Sequence, residues 1–162
     1  MENDELVLIN PRARKMPNMV YVAGIAVKGQ EKNRKLQATL TIFAELQIKE
    51  IRNARRYVYE YVPEDIRDLA DSELQEHLIN VEEAIIAFER VGYLLQEGHI
   101  DTEPIISNYW AEVWKCWQRT RGLIHWAREK RGDPTYLGSF DHLFFLAEAY
   151  RIENNYGEPR FY

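Results

Sequence analysis

Leu74, Leu78, Val81, Ile85, Phe88 and Leu95 recur at intervals of three, four or seven residues. At about 100° per residue, that spacing gathers them on one face of a helix. Comparable stripes recur along the chain. Almost no stretch alternates apolar with polar residues in the manner of a half-buried strand. The pattern predicts an all-α fold, a four-helix bundle-like arrangement of three long helices and one shorter, preceded by an irregular N-terminal arm.

The punctuation sets the boundaries. Residues 1–29 form the expected arm: Pro11 and Pro17 interrupt helical geometry, and Arg12, Arg14 and Lys15 separate two apolar pieces. Val20 to Val22 and Ile25 to Val27 suit short extended segments around Gly24. A first helix is predicted over 31–61, with Leu36, Leu40, Phe43, Ile51, Ala54, Val58 and Tyr61 as one stripe that Gln47 interrupts. Pro63 ends it. A second helix is predicted over 72–97, opened by a Ser72/Gln75 capping box and closed at Gly98. The short link that follows favours an antiparallel neighbour. The third helix is predicted over 103–131, capped by Asp101 or Thr102, with Pro104 in its first turn and Gly132 beyond its end. The fourth is predicted over 140–154, with Ser139 as its cap and Phe140, Leu143, Leu146, Ala147 and Tyr150 facing inward. Residues 30–155 thus read as one helical domain, and 156–162 as a tail.

At 162 residues the chain is long enough for one such core. Its 46% hydrophobic and 29% charged content is an ordinary globular mixture. The net charge of −5 gives no strong nucleic-acid signal. The single cysteine, Cys116, falls on an apolar helix face and excludes an intrachain disulfide, which suits a cytoplasmic protein. The chain begins acidic and lacks a signal-peptide h-region. Met19 to Val27, nine uncharged and mostly apolar residues, is too short for a membrane span, which needs about 20.

Three charges are misplaced. Glu89 points into the stripe of the second helix. On the third, Trp110, Trp114 and Trp117 follow i, i+4, i+7 spacing, and Arg121 and Arg128 extend the line. Arg55 occupies a similar flank on the first helix. A charge at a core-facing position is costly unless it is paired. One reading is a covered interhelical ion pair, Glu89 with Arg121 or Arg55, with Arg128 snorkelling at the helix end. The other is a small anionic-ligand pocket at Arg121 walled by Trp114 and Trp117. Gly92, one turn beyond Glu89, leaves room for a bulky neighbour such as Trp114 or Trp117.

Enzyme constellations are sparse. The residues three before His77, His99, His125 and His142 are Leu74, Gln96, Gly122 and Ser139, so no Glu-x-x-His di-iron motif is present. One cysteine excludes zinc sites of the Cys/His type, and no phosphate-binding or dinucleotide loop occurs. No metal or other cofactor is expected. Arg119 and His125 match the loose Arg-x(4–6)-His spacing of HEPN-type ribonucleases. That pair could stabilise a phosphate and move protons in RNA hydrolysis, although both residues sit on the polar side of one continuous helix.

Apolar residues on the backs of helices point to association. Phe145 and Ile152 lie opposite the core stripe of the fourth helix, and Trp126 opposite that of the third. Together they suit an interface with a second copy or a protein partner, to which Tyr156, Phe161 and Tyr162 also suit docking.

From Ile51 to Arg128 the chain resembles a family of bacterial helical domains of unknown function. The matching features are Arg52, Arg55 and Arg56 on the first helix, the Phe-Glu-x-Val-Gly segment from Phe88 to Gly92, the Gly-x-Ile-Asp turn from Gly98 to Asp101, and Trp117, Arg121 and Arg128 on the third helix. The resemblance implies a helical fold and a structural role for Glu89; it implies no activity, substrate or cofactor. Other members often carry N-terminal membrane spans, a pattern from which this chain departs. The leading expectation is a non-enzymatic, self-associating interaction or regulatory domain.

Overall fold

The computed structural model describes residues 16–161, with side chains from residue 27 onward. The patch of Arg12, Arg14 and Lys15 and the terminal Tyr162 lie outside the described residues. These form five helices: α1 (Met16–Leu46), α2 (Lys49–Tyr61), α3 (Asp71–Gln96), α4 (Thr102–Arg131) and α5 (Gly138–Glu153). Among the described residues there is no strand, and no helix is long and apolar enough to cross a membrane.

The chain divides into two compact units, Met1–Arg34 and Lys35–Tyr162. In the first, the described residues are all helical. The irregular arm expected up to residue 29 therefore does not hold from Met16 onward, nor do the extended segments around Gly24. Pro17 lies in the first turn of α1, where its missing N–H would lack an intrahelical acceptor anyway, so it permits the helix that it was expected to break.

In the second unit, α5 packs on both α3 and α4, and α2 packs on the same two helices. Phe88, Ile85, Val113, Leu123, Ile124, Phe140 and Leu143 are fully buried where these helices meet. Five helices replace the expected four because the first breaks at Gln47 and Ile48. Ile48 is extended (φ −58°, ψ 142°), and the chain resumes helical geometry at Lys49. Neither proline nor glycine marks the break. Gln47, the polar interruption in the predicted stripe, reaches out and donates from Nε2 to the Tyr109 hydroxyl at 2.9 Å.

The break also splits the predicted stripe. Ile51, Ala54 and Val58 are buried as expected, whereas Leu36, Leu40 and Tyr61 are 54%, 50% and 61% exposed. Beyond Lys35, α1 buries Thr39, Ile42 and Leu46 instead. Its side chains tie it to the other helices: Lys35 pairs with Asp101 at 3.1 Å, and Glu45 pairs with Arg90 on α3.

Some helix ends follow local chemistry and others depart from it: Asp101 stands at the N-cap of α4 but makes no side-chain cap hydrogen bond. Gly98 and Gly132 take left-handed backbone (φ 68° and 62°) just past α3 and α4, as their positions predict. The Ser72/Gln75 capping box is displaced: Ala70 is the N-cap of α3, and the Glu73 carboxylate accepts its backbone N–H at 2.8 Å. At α5 the cap is Leu137 rather than Ser139, in left-handed backbone (φ 59°) that a branched side chain disfavours.

Candidate functional site

Two of the misplaced charges, Glu89 and Arg128, converge on the start of α5. The Glu89 carboxylate accepts the backbone N–H of Phe140 at 2.7 Å, supplying from α3 the cap that Leu137 lacks. A carboxylate there also meets the positive end of the helix dipole. Gly92 lies one turn further along α3. A Cβ at this position would overlap the Ser139 carbonyl oxygen and lie 2.6 Å from its carbon. Gly92 thus admits the backbone of α5, not the tryptophan that the sequence suggested. From α4, Arg128 donates through Nε to the Tyr136 carbonyl at 2.7 Å, and through Nη2 to the Asp141 carboxylate at 2.9 Å. It does not snorkel; it bonds to both the Leu137 turn and the first turn of α5.

Glu89 therefore pairs with neither Arg121 nor Arg55. Arg121 is exposed. Arg55 is buried on α2, and its Nη1 has no hydrogen-bond partner among the described residues. Near it, the Cys116 thiol lies 3.7 Å from the Tyr59 hydroxyl. Burial pushes that thiol up to about 12, so at neutral pH it is not a thiolate nucleophile.

The tryptophan stripe belongs to the contact with α5 and the C-terminal tail. Trp117 meets Phe140 edge-on at 5.3 Å and stacks on Phe144 at 5.5 Å. Trp114 is buried and donates from its indole to Glu148 at 2.8 Å. Trp110 stacks on Tyr156 at 5.2 Å. The tail thus docks on the tryptophan face of α4 and not on the back of α5. The expected walls of an Arg121 pocket, Trp114 and Trp117, are largely taken up by this packing.

A groove does open beside Arg121, with Trp114 but not Trp117 in its lining. It encloses about 410 Å³ and is lined by Trp114, Gln118, Arg119 and Arg121 of α4, by Glu64 of the α2–α3 link, and by Glu158 to Phe161 of the tail. The guanidinium of Arg119 lies over the Phe161 ring at 4.3 Å. Its Nη1 reaches the Val62 carbonyl at 3.5 Å, and its buried Nε has no partner among the described residues. Arg160 and Phe161 were not legible as site residues, because only the docked tail brings them to α4.

Arg119 and His125 do not converge. His125 lines a separate groove with Arg128, Glu129, Gly132 and Pro134. Of the three expected interface residues, Trp126 is half-buried and donates to Asp71 on α3 at 3.0 Å. Phe145 and Ile152 are 65% and 59% exposed.

These features define an all-helical domain in which Glu89 and Arg128 hold α5 in its seat. The chain belongs to DUF4760, a family defined by a domain of unknown function, whose model matches residues 19–144. No curated protein and no solved structure matches the chain.

Proposed function

We propose that this chain is a non-enzymatic helical interaction domain that self-associates, strip against strip, through the outer face of α5. One observation carries the reading. Phe145, Ala149 and Ile152, at i, i+4 and i+7, are all exposed, while Phe140, Leu143 and Ala147 on the opposite face are fully buried. A helix with both faces apolar is under-used by its own fold. Covering Phe145 and Ile152 is worth about 1.5–3 kcal/mol per side chain. Repeated on two copies about a twofold axis, that is the ordinary basis of a homodimer. Exposed Leu36 and Leu40 on α1, and Ile79, Ile86 and Tyr93 on α3, offer further apolar surface to a protein partner. The buried thiol of Cys116 suits a reducing cytoplasm. Arg119 and His125 line separate grooves, which favours this reading over RNA hydrolysis.

Light scattering across a concentration series tests the proposal. The chain should give more than one subunit per particle, and Phe145→Ser with Ile152→Ser should return it to one. Both side chains are exposed, so the double variant should keep the fold. A particle of one subunit at every concentration, or an undiminished assembly in the variant, overturns the reading.

A further inference from the structure

The groove between α4 and the tail gathers charged side chains that form no ion pairs with one another among the described residues. Arg119, Arg121 and Arg160 place three guanidinium groups around about 410 Å³ of space, a volume within the usual range for small-molecule sites. Among the described residues none of the three is in a salt bridge. Arg119 is held in place: its plane lies over Phe161, one nitrogen reaches the Val62 carbonyl, and its buried Nε is unsatisfied. A buried donor without an acceptor is a cost to the fold, and it leaves Arg119 with hydrogen-bonding capacity that the protein does not use. Arg121 and Arg160 are exposed at the rim and free to close on a ligand.

The rest of the lining narrows the ligand class. One held and two mobile guanidinium groups exceed what one carboxylate can engage, whereas a phosphate monoester presents three oxygens and close to two negative charges. Glu64 and Glu158 also line the groove. They disfavour a second anionic group and accept hydrogen bonds from hydroxyl or amino groups. Pro159 and Phe161 offer apolar contact to a carbon skeleton. We propose that this groove binds a small phosphate monoester whose organic body carries hydroxyl groups, with Arg119, Arg121 and Arg160 on the phosphate and Glu64 and Glu158 on the hydroxyls.

The test is a titration of the full chain with glycerol 3-phosphate, followed by NMR of arginine Nε–H and tryptophan indole signals. The result expected is a saturable shift of the Arg119 Nε–H signal. Arg121→Ala and Arg160→Ala should each weaken binding about tenfold or more, the usual consequence of losing one charge-assisted contact. Arg52→Ala, an exposed arginine outside the groove, should leave it unchanged. Glycerate and inorganic phosphate should both bind more weakly than the ester. No saturable shift at millimolar ester, or equal weakening by Arg52→Ala, overturns the site. Glycerate binding as tightly as the ester overturns the phosphate assignment, and inorganic phosphate doing so overturns the role of the organic body. Thermal melts of each variant confirm that a loss of binding is not a loss of fold.

Discussion

Glu89 on α3 caps α5 by accepting the Phe140 backbone N–H at 2.7 Å, across 51 residues of chain. The contact replaces a local cap with a tertiary one, so α5 gains a satisfied N-terminus only when seated on α3. Helix formation and docking are thereby coupled. Arg128 reinforces the coupling from α4 through the Tyr136 carbonyl and Asp141.

Removing the cap should loosen α5 first. Glu89→Ala is expected to lower stability by about 1–2 kcal/mol, the cost of an N-cap with a charged acceptor. Glu89→Gln keeps an acceptor oxygen and should lose less. Urea unfolding gives the free energies, and hydrogen exchange should show the loss concentrated in the first turn of α5.

Gly92→Ala should reverse the usual sign of its substitution. At an ordinary helix position alanine stabilises by about 1 kcal/mol relative to glycine. Here the added methyl collides with the Ser139 backbone, which is not a flexible side-chain end. The variant should instead lose about 1–3 kcal/mol as α5 is pushed off α3. A melting temperature equal to or above that of the parent would refute the close approach.

Arg55→Met should stabilise the domain. A buried guanidinium with an unsatisfied Nη1 carries a desolvation cost that a methionine of similar shape does not. A gain of about 1 kcal/mol is expected in urea unfolding at neutral pH. A loss of that size would mean that the arginine has an acceptor in solution.

Glu148 should contribute to acid sensitivity. Its carboxyl is held below the ordinary carboxylate range, first by Arg151 and then by the Trp114 indole. Because the folded value is depressed, the stabilisation is complete above the unfolded value, near 4.3. It is lost as pH falls through the folded one. Glu148→Gln should be less stable than the parent at pH 7 and should lose less on acidification. Parallel stability curves for the two proteins would remove Glu148 from the account.

The helices of the second unit were legible in the sequence because their signals are local. The stripe from Leu74 to Leu95 is buried as its spacing requires, and Gly98 and Gly132 stop their helices where a left-handed residue is needed. Less legible was the break at Gln47 and Ile48, which carries no proline or glycine. Its trace was one polar residue in a stripe, Gln47, whose side chain donates to Tyr109 on the distant helix α4. The anomaly of Glu89 was also legible, but not its partner. A search among side chains for an opposite charge overlooks a backbone N–H, which every residue except proline offers.

The sequence by itself determined where α3, α4 and α5 form, which faces of α3 and α4 are apolar, and that Glu89, Arg55, Arg121 and Arg128 need explanation. These follow from periodicity and turn chemistry, which act over a few residues. Only the tertiary structure decided that Glu89 and Gly92 receive the start of α5, that the tryptophans meet the C-terminal tail, and that Arg119, Arg121 and Arg160 border one groove. Those outcomes depend on which helix faces approach one another. That choice is settled by packing among residues tens of positions apart, and no local spacing records it.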